Sequence, residues 1–223
     1  MRETLFASTE GRLLGVGLTL SGLALLAFGI GWQLFPDSVL TYAAMTGLNL
    51  IIGRAAGMSF GYASGLGHAQ VIPLNMLVET IQVLVVYPLF ALSWRQLIRV
   101  PSLQPFVMHM HSAAELRGGA VRKFGIAGLF VFVFVPFWMT GPVVGAIIGF
   151  LIGLRPWLNL VVVLVSTYIA IGVWGLLLNE LNAWATTVNR FAPYALFLAI
   201  ALIIAAMHLL HRHRDRPANN ERD

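Results

Sequence analysis

Two charged residues lie inside long apolar stretches of this chain, and they are the first candidates for chemistry. Glu79 falls about halfway along an apolar stretch at 71–94, and Arg54 falls among glycines in the stretch before it. An ionised side chain at the centre of a bilayer costs roughly 2.5–3.5 kcal/mol on insertion scales, so each needs a partner, water or neutralisation. Arg54 can offer a planar set of donors to an anion, and Glu79 can hold and release a proton. A purely structural ion pair between them is the alternative.

Neutral polar side chains near these charges extend the candidate site. Asn75, Glu79 and Gln82 share one helix face by their spacing of four and three residues, and Asn49 precedes Arg54 in the neighbouring stretch. We predict that Arg54, Asn49, Asn75 and Gln82 bind a substrate and that Glu79 couples a proton. Hydrogen bonding between helices is the commoner use of such a polar stripe, and it stays open here.

A proline-flanked break supplies the other half of the predicted site. Thr140 and Gly141 stand between Pro136 and Pro142, and two prolines so close cannot continue a regular helix. Broken helices in transporters free main-chain N–H and C=O groups that bind substrates or ions. We therefore predict that Thr140 and Gly141 join the substrate site, with a simple chain turn as the alternative.

Two ladders of glycines, each with a spacing of four residues, indicate the elements that position these groups. The first is Gly53, Gly57, Gly61 and Gly65, and the second is Gly141, Gly145, Gly149 and Gly153. In an apolar helix such a ladder forms a smooth face on which another helix packs closely. Because the second ladder repeats the first after 88 residues, we predict a duplicated membrane unit, which is how many secondary transporters are built.

Composition sets the class of protein. Hydrophobic residues make up 58% of the 223 and charged residues only 10%, which predicts an integral membrane protein. The absence of cysteine excludes disulfides and thiolate metal sites. The basic residues fall between the apolar segments and not on one soluble face, so a nucleic-acid partner is not expected. We predict no cofactor and no metal.

The order of the apolar segments predicts an all-α integral membrane protein with four transmembrane helices and two re-entrant helical hairpins, arranged as an inverted repeat. The predicted segments are a cytoplasmic N-terminus at 1–12, a transmembrane anchor at 13–34, a first repeat of hairpin plus span at 40–94, a basic interfacial segment at 95–123, a second repeat at 124–178, a last transmembrane helix at 193–210 and a cytoplasmic tail at 211–223. This arrangement puts twelve of the fourteen Lys and Arg residues on one side. The positive-inside rule then predicts a bacterial inner-membrane protein with both termini in the cytoplasm.

The second repeat carries a family resemblance. The run from Gly128 to Pro136, followed by Thr140–Gly141 and the second glycine ladder, resembles the small multidrug export proteins of bacteria. That family is similar in turn to the DedA-like membrane proteins, which pair re-entrant hairpins with spans. The resemblance implies export across the inner membrane.

Together these patterns predict a secondary transporter or flippase that exports a small hydrophobic or amphipathic anion, coupled to a proton or ion gradient. The expected partners are membrane lipids and a small-molecule or lipid substrate. A homo-oligomer stays open because glycine faces also pack between chains. The alternative is a membrane scaffold or accessory subunit that transports nothing. An intramembrane enzyme ranks last, because no nucleophile and base stand at a recognisable spacing.

Overall fold

The computed structural model describes residues 8–97, 125–134 and 141–188, together with positions 198, 199 and 202. These ranges hold seven α-helices and no strand. The helices are α1 (Thr9–Leu34), α2 (Pro36–Ile51), α3 (Arg54–Ala63), α4 (His68–Leu97), α5 (Ile126–Phe134), α6 (Gly141–Leu151) and α7 (Pro156–Val188). The predicted helix at 193–210, the tail at 211–223, most of the interfacial segment at 95–123 and Thr140 lie outside the described residues.

Three of the described helices are long and apolar enough to cross a membrane: Thr9–Leu34, His68–Trp94 and Pro156–Trp184. Helices α3 and α6 have 10 and 11 residues. At ~1.5 Å per residue they are about half as long as the ~30 Å hydrocarbon core, so neither can cross it alone.

Helix α1 begins earlier than the first apolar residue indicates. The Ser8 side chain accepts a hydrogen bond from the Gly11 main-chain N–H at 3.0 Å and caps the helix. Glu10 and Arg12 therefore belong to the first turns of α1, and Glu10 is buried.

Helices α1 and α4 approach each other closely at a glycine outside the two ladders. A Cβ atom added to Gly17 would lie 2.8 Å from both the carbonyl carbon and the carbonyl oxygen of Leu84. The helical partner of that carbonyl would be the N–H of residue 88, which is Pro88 and has none. The two main chains therefore touch where α4 lacks one of its own hydrogen bonds.

Gly17→Ala is expected to destabilise the protein by about 1–3 kcal/mol, because the added methyl meets main-chain atoms that cannot move aside. Gly22→Ala on the same helix is the matched control, since nothing lies within 4 Å of a Cβ at that position. The control should be neutral or slightly stabilising, by up to about 1 kcal/mol, because Ala is the better helix former. Thermal unfolding of the two variants in detergent measures the difference, and equal stability would contradict the contact.

Helices α2 and α3 form a hairpin that turns at a glycine. Gly53 has φ 119° and precedes Arg54, the first residue of α3. This φ is open to glycine and rare for other residues. Across the hairpin, a Cβ on Gly57 would lie 2.9 Å from the Asn49 Cβ, and one on Gly61 would lie 2.6 Å from the Met45 sulfur. The two arms therefore run antiparallel in close contact.

In each glycine ladder, the inner glycines pack inside helices and the outer glycines lie at turns or at the start of a helix. The inner members, Gly57 and Gly61 in α3 and Gly145 and Gly149 in α6, lie inside helices and are buried. Gly53, Gly65 and Gly153 lie outside the helices with φ of 119°, 84° and 81°. Gly141 is the first residue of α6. The ladder is thus not one continuous face, because its outer members end or start helices.

The two halves repeat the same contacts with an offset of 88 residues. Gly57 packs against Met45 as Gly145 packs against Val133, and Gly61 packs against Val71 as Gly149 packs against Asn159. The turns also match. The N–H groups of Gly65 and Gly153 both donate at 3.0 Å, to the carbonyls of Tyr62 and Phe150. Helices α4 and α7 then begin at His68 and Pro156, again 88 residues apart.

Two apolar clusters join these elements. One is centred on Val83, Tyr87, Leu129, Val133 and Val163, and the other on Met45, Met58, Tyr62, Val71 and Ile171. Helices α5 and α6 also pack against each other, and we call this pair the second hairpin. Both clusters draw residues from α4 and α7, so these two long helices form the centre against which the two hairpins pack.

A buried polar site at the hairpin break

Arg54 joins the two hairpins. Its Nη2 atom donates to the carbonyl oxygens of Val133 at 2.9 Å and Phe134 at 3.2 Å, at the carboxyl end of α5. The Arg54 side chain is only 6% exposed. A cation at this end of a helix complements the negative end of the helix dipole, and the last carbonyls of a helix have no partner within it. Arg54 therefore caps α5 from the other hairpin.

The predicted residue Gly141 lies at the same place. A Cβ on Gly141 would be 3.9 Å from the Val133 carbonyl oxygen, the group that Arg54 also contacts. The start of α3, the end of α5 and the start of α6 therefore meet around this carbonyl. Arg54 and Gly141, which are far apart in sequence, belong to one site.

Glu79 is the other charged residue of this site, in the middle of α4 and 4% exposed. It lies one helical turn after Asn75, and its charge interacts with that of Arg54. The hydrogen bonds of Arg54 Nη2 nevertheless go to the two carbonyls of α5. Arg54 thus bonds a helix end directly while the charge of Glu79 acts on it without a hydrogen bond, which differs from the simple pair expected from the sequence.

Asn49 and Asn75 link α2 to α4. The Asn49 Nδ2 atom donates to Asn75 Oδ1 at 2.6 Å, and Asn75 Nδ2 donates to the Val71 carbonyl at 2.7 Å. Both side chains are buried. This chain of bonds fixes the orientation of both amides and aligns the first hairpin with the face of α4 that carries Glu79.

Three polar atoms near the tip of the first hairpin are buried and have no hydrogen-bond partner. They are Arg54 Nη1, Asn49 Oδ1 and Thr46 Oγ1. Leaving a buried polar group unpaired costs about 1–3 kcal/mol, and more for a charged one. One free cationic donor beside free oxygen acceptors is what a site for a polar ligand or water molecules provides.

The remaining predicted residues sit as follows. Gln82 is half-buried in α4, on the turn after Glu79, and Gly141 is buried. Thr140 lies outside the described residues. Across residues 8–97, 125–134 and 141–188, no group of three or more His, Asp or Glu side chains comes together that could hold a metal ion.

A largely apolar cavity of about 510 Å³ lies between α1, α2 and α4. Its polar lining comes from Ser38, Tyr42 and Gln70, and the rest is apolar, including Phe28 and Leu74. Ligand pockets commonly have this size and this balance of apolar walls with a few polar groups. Leu74 lines the cavity and its neighbour Asn75 belongs to the polar site, so α4 contributes to both.

Comparison with known families decides what kind of protein this is. The family model described as small multi-drug export protein matches residues 54–173, which is more than half of the chain. The chain belongs to the small multidrug export protein family. No curated protein and no solved structure matches it. The family and the three long apolar helices make it a multi-pass membrane protein of an export family.

The segment that matches this export family contains most of the polar site. It begins at Arg54 and includes Asn75, Glu79, Gln82 and Gly141. Asn49 and the whole of α1 precede it. The part of the chain shared with the export family therefore holds both charged residues of the polar site, Arg54 and Glu79.

Sequence reasoning missed the partners of Arg54, because they are main-chain carbonyls 79 and 80 residues away. One signal was present. Pro136 has no N–H to offer the carbonyl of Phe132, so the end of the preceding helix had to find donors elsewhere. Thr46 was also missed, because a single threonine in an apolar helix usually bonds to its own main chain.

Proposed function

We propose that this protein is a secondary exporter of a small amphipathic anion, driven by a proton or ion gradient. Membership of the export family supports the class of activity. The observation that carries the proposal is Arg54, a buried cation whose Nη2 atom is bonded to α5 and whose Nη1 atom has no hydrogen-bond partner. Discontinuous helices that meet at a buried cation resemble the binding sites of other secondary transporters. No catalytic role is proposed for any residue.

The free Nη1 atom of Arg54 favours an anionic substrate group. Arg54 is also the first residue of α3, and Gly53 before it provides no side-chain cap. The first N–H groups of a helix attract anions through their unpaired donors and the positive end of the dipole. A carboxylate, phosphate or sulfonate group would therefore find donors in the guanidinium of Arg54 and in the first N–H groups of α3. The side chains of Asn49 and Asn75 would orient the polar groups beside that anion.

Glu79 is the proposed proton carrier. It is buried and its charge interacts with Arg54, so a change in its protonation changes the field at the anion site. Ionisable residues in membrane segments commonly form proton relays in transporters. The Glu79 carboxylate and a substrate anion both act on the charge of Arg54, so substrate binding and the protonation of Glu79 are coupled.

The cavity between α1, α2 and α4 supports an amphipathic substrate. Its apolar walls suit a hydrocarbon group, while Ser38, Tyr42 and Gln70 provide contacts for polar atoms. Helix α1, which lines the cavity, is largely exposed, because only 11% of its 18-residue apolar stretch is buried. A substrate could reach the cavity from the lipid.

We further propose that the two hairpins and their following spans form an inverted repeat. The antiparallel crossing of α4 and α7 supports this, since Ile72 is near Gly175 whereas Thr80 is near Tyr168. The hydroxyls of Thr80 and Tyr168 are 2.6 Å apart, and these residues are equivalent under the 88-residue offset. Only residues near a two-fold axis contact their own equivalents.

A second pair of contacts supports the same axis. Tyr62 Oη would lie 3.1 Å from a Cβ on Gly175, and the Tyr87 and Phe150 rings pack edge to face with centroids 6.2 Å apart. Tyr62 corresponds to Phe150 and Gly175 to Tyr87 under the offset of 88 residues. The contact between halves therefore occurs twice with the partners exchanged, as two-fold symmetry requires.

The proposed topology predicts opposite labelling of two equivalent loops. Gly67 and Arg155 are exposed, are 88 residues apart and precede α4 and α7. In the inner membrane, with both termini cytoplasmic, Gly67→Cys should react with an impermeant maleimide from outside and Arg155→Cys only from inside. The native chain has no cysteine to interfere. Labelling of both from one side would contradict an inverted repeat.

Transport by purified protein in liposomes tests the proposed function. Under an imposed pH gradient, one reporter follows lumenal pH and another follows a labelled phospholipid or polyprenyl phosphate, and empty liposomes provide the baseline. Substrate-dependent proton flux above that baseline is the expected result. Correctly oriented, folded protein that moves neither reporter would contradict the proposal and favour a scaffold or accessory subunit.

A further inference from the structure

We propose that the bonds from Arg54 to α5 are a latch between the two hairpins that an anionic substrate group releases. The inference rests on the proposed function for its anion. It goes beyond that function by assigning the resting state and the step that releases it.

The latch crosses the interface that must move. Arg54 starts the second arm of the first hairpin, whereas Val133 and Phe134 end the first arm of the second hairpin. Both acceptors are main-chain oxygens, so rotation of a side chain in α5 cannot break the bonds. The hairpins can separate here only if the Arg54 side chain moves and breaks both hydrogen bonds.

The latch has no counterpart in the other half. Exchange of the two halves converts a contact between residues i and j into one between j−88 and i+88, as the Tyr62–Gly175 and Phe150–Tyr87 contacts illustrate. The bonds from Arg54 to Val133 and Phe134 would become contacts of Pro142 with Met45 and Thr46.

Proline has neither a side-chain donor nor an N–H group. The second half therefore has no equivalent of these bonds. The described arrangement is the resting state, since both charge-assisted hydrogen bonds of Arg54 hold the hairpins together in it.

An anion releases the latch by competing for the same guanidinium. Nη1 is already free, so an anionic group can bind there first. A bidentate complex then draws Nη2 away from the two carbonyls, because a carboxylate or phosphate matches the guanidinium fork and carries full charge. Binding and release are therefore one event at one side chain.

Distances between spin labels across the hairpins test the latch. Ile51→Cys on α2 and Val131→Cys on α5 provide attachment points that are 66% and 59% exposed. The full-length protein in nanodiscs is measured alone, with octyl phosphate and with octyl glucoside. The first ligand has an anionic head, and the second has a neutral head on the same chain. The same pair is measured in Arg54→Met, Arg54→Lys and Arg155→Ala backgrounds.

We expect one dominant distance in the wild type and in Arg155→Ala, whose arginine is exposed. In Arg54→Met, the ratio of molecules at a second distance to molecules at the first should rise at least about tenfold. This is the shift in equilibrium expected when one charge-assisted hydrogen bond is lost. Arg54→Lys, with its compact ammonium, should lie between. Octyl phosphate should produce the second distance in the wild type, and octyl glucoside should not.

An unchanged distance distribution in Arg54→Met, or in Arg54→Lys if the first variant does not fold, would overturn the latch. A changed variant distribution with no response to octyl phosphate would overturn release by an anion. Neither readout depends on transport, so failure of the latch and failure of the proposed export activity are distinguishable.

Discussion

Replacement of Glu79 by glutamine is expected to abolish proton-driven export while the protein stays folded. Glutamine keeps the size and much of the hydrogen bonding of glutamate, but it cannot titrate. Arg54 retains its two bonds to α5, so the buried cation keeps hydrogen-bond partners and Glu79→Gln should lose less stability than removal of Arg54. Uptake driven by a pH gradient in liposomes should fall to the level of protein-free vesicles.

Exchange of labelled for unlabelled substrate without a gradient should survive in Glu79→Gln, because exchange needs no net proton movement. Glu180→Gln is the matched control, since Glu180 is an exposed carboxylate of α7. That control should transport like the wild type. Gradient-driven uptake retained by Glu79→Gln would exclude Glu79 as the coupling residue.

Replacement of Arg54 by alanine is expected to weaken both substrate binding and the fold. Each charge-assisted hydrogen bond to the substrate contributes about 1.5–3 kcal/mol, so the substrate concentration for half-maximal transport should rise about 10- to 100-fold. Removing one member of a buried charged pair also destabilises a protein by about 3–5 kcal/mol. Concentration-dependent transport and thermal unfolding measure the two effects separately.

The double variant Arg54→Ala with Glu79→Gln separates stability from binding. It should be more stable than Arg54→Ala alone, because no unpaired carboxylate remains buried. It should bind substrate no better, because the guanidinium is still missing. Arg155→Ala, which removes an exposed arginine, should change neither quantity. An unchanged half-maximal concentration in Arg54→Ala would contradict a role in anion binding.

Local patterns in the sequence identified the buried charged residues Arg54 and Glu79. Charges in apolar stretches are costly, so Arg54 and Glu79 stood out without any structure. The offset of 88 residues between glycine ladders likewise pointed to the repeated contacts of Gly57 and Gly145. These features depend on composition and spacing, which a single sequence records directly.

Contacts with the main chain could not be predicted in the same way. The carbonyls of Val133 and Phe134 have no residue-specific signature, so their bonds to Arg54 became visible only in three dimensions. No pattern in the sequence indicated the close contact at Gly17 either, because its neighbour is the carbonyl of Leu84 on another helix. The ladders were interpreted as single faces, although positive φ places Gly53 and Gly65 at turns.

The hydrogen bond between Thr80 and Tyr168 has an evolutionary consequence. Under the proposed inverted repeat, it joins two copies of one ancestral position. In an ancestor of half the length, two copies of the same chain would have been inserted in opposite directions and would have contacted each other at this position. Gene fusion would then have freed one copy to change alone. Arg54 and Glu79 now correspond to Pro142 and Thr167. The first copy therefore carries these two buried charges, while the second supplies the carbonyl groups of Val133 and Phe134 that Arg54 contacts.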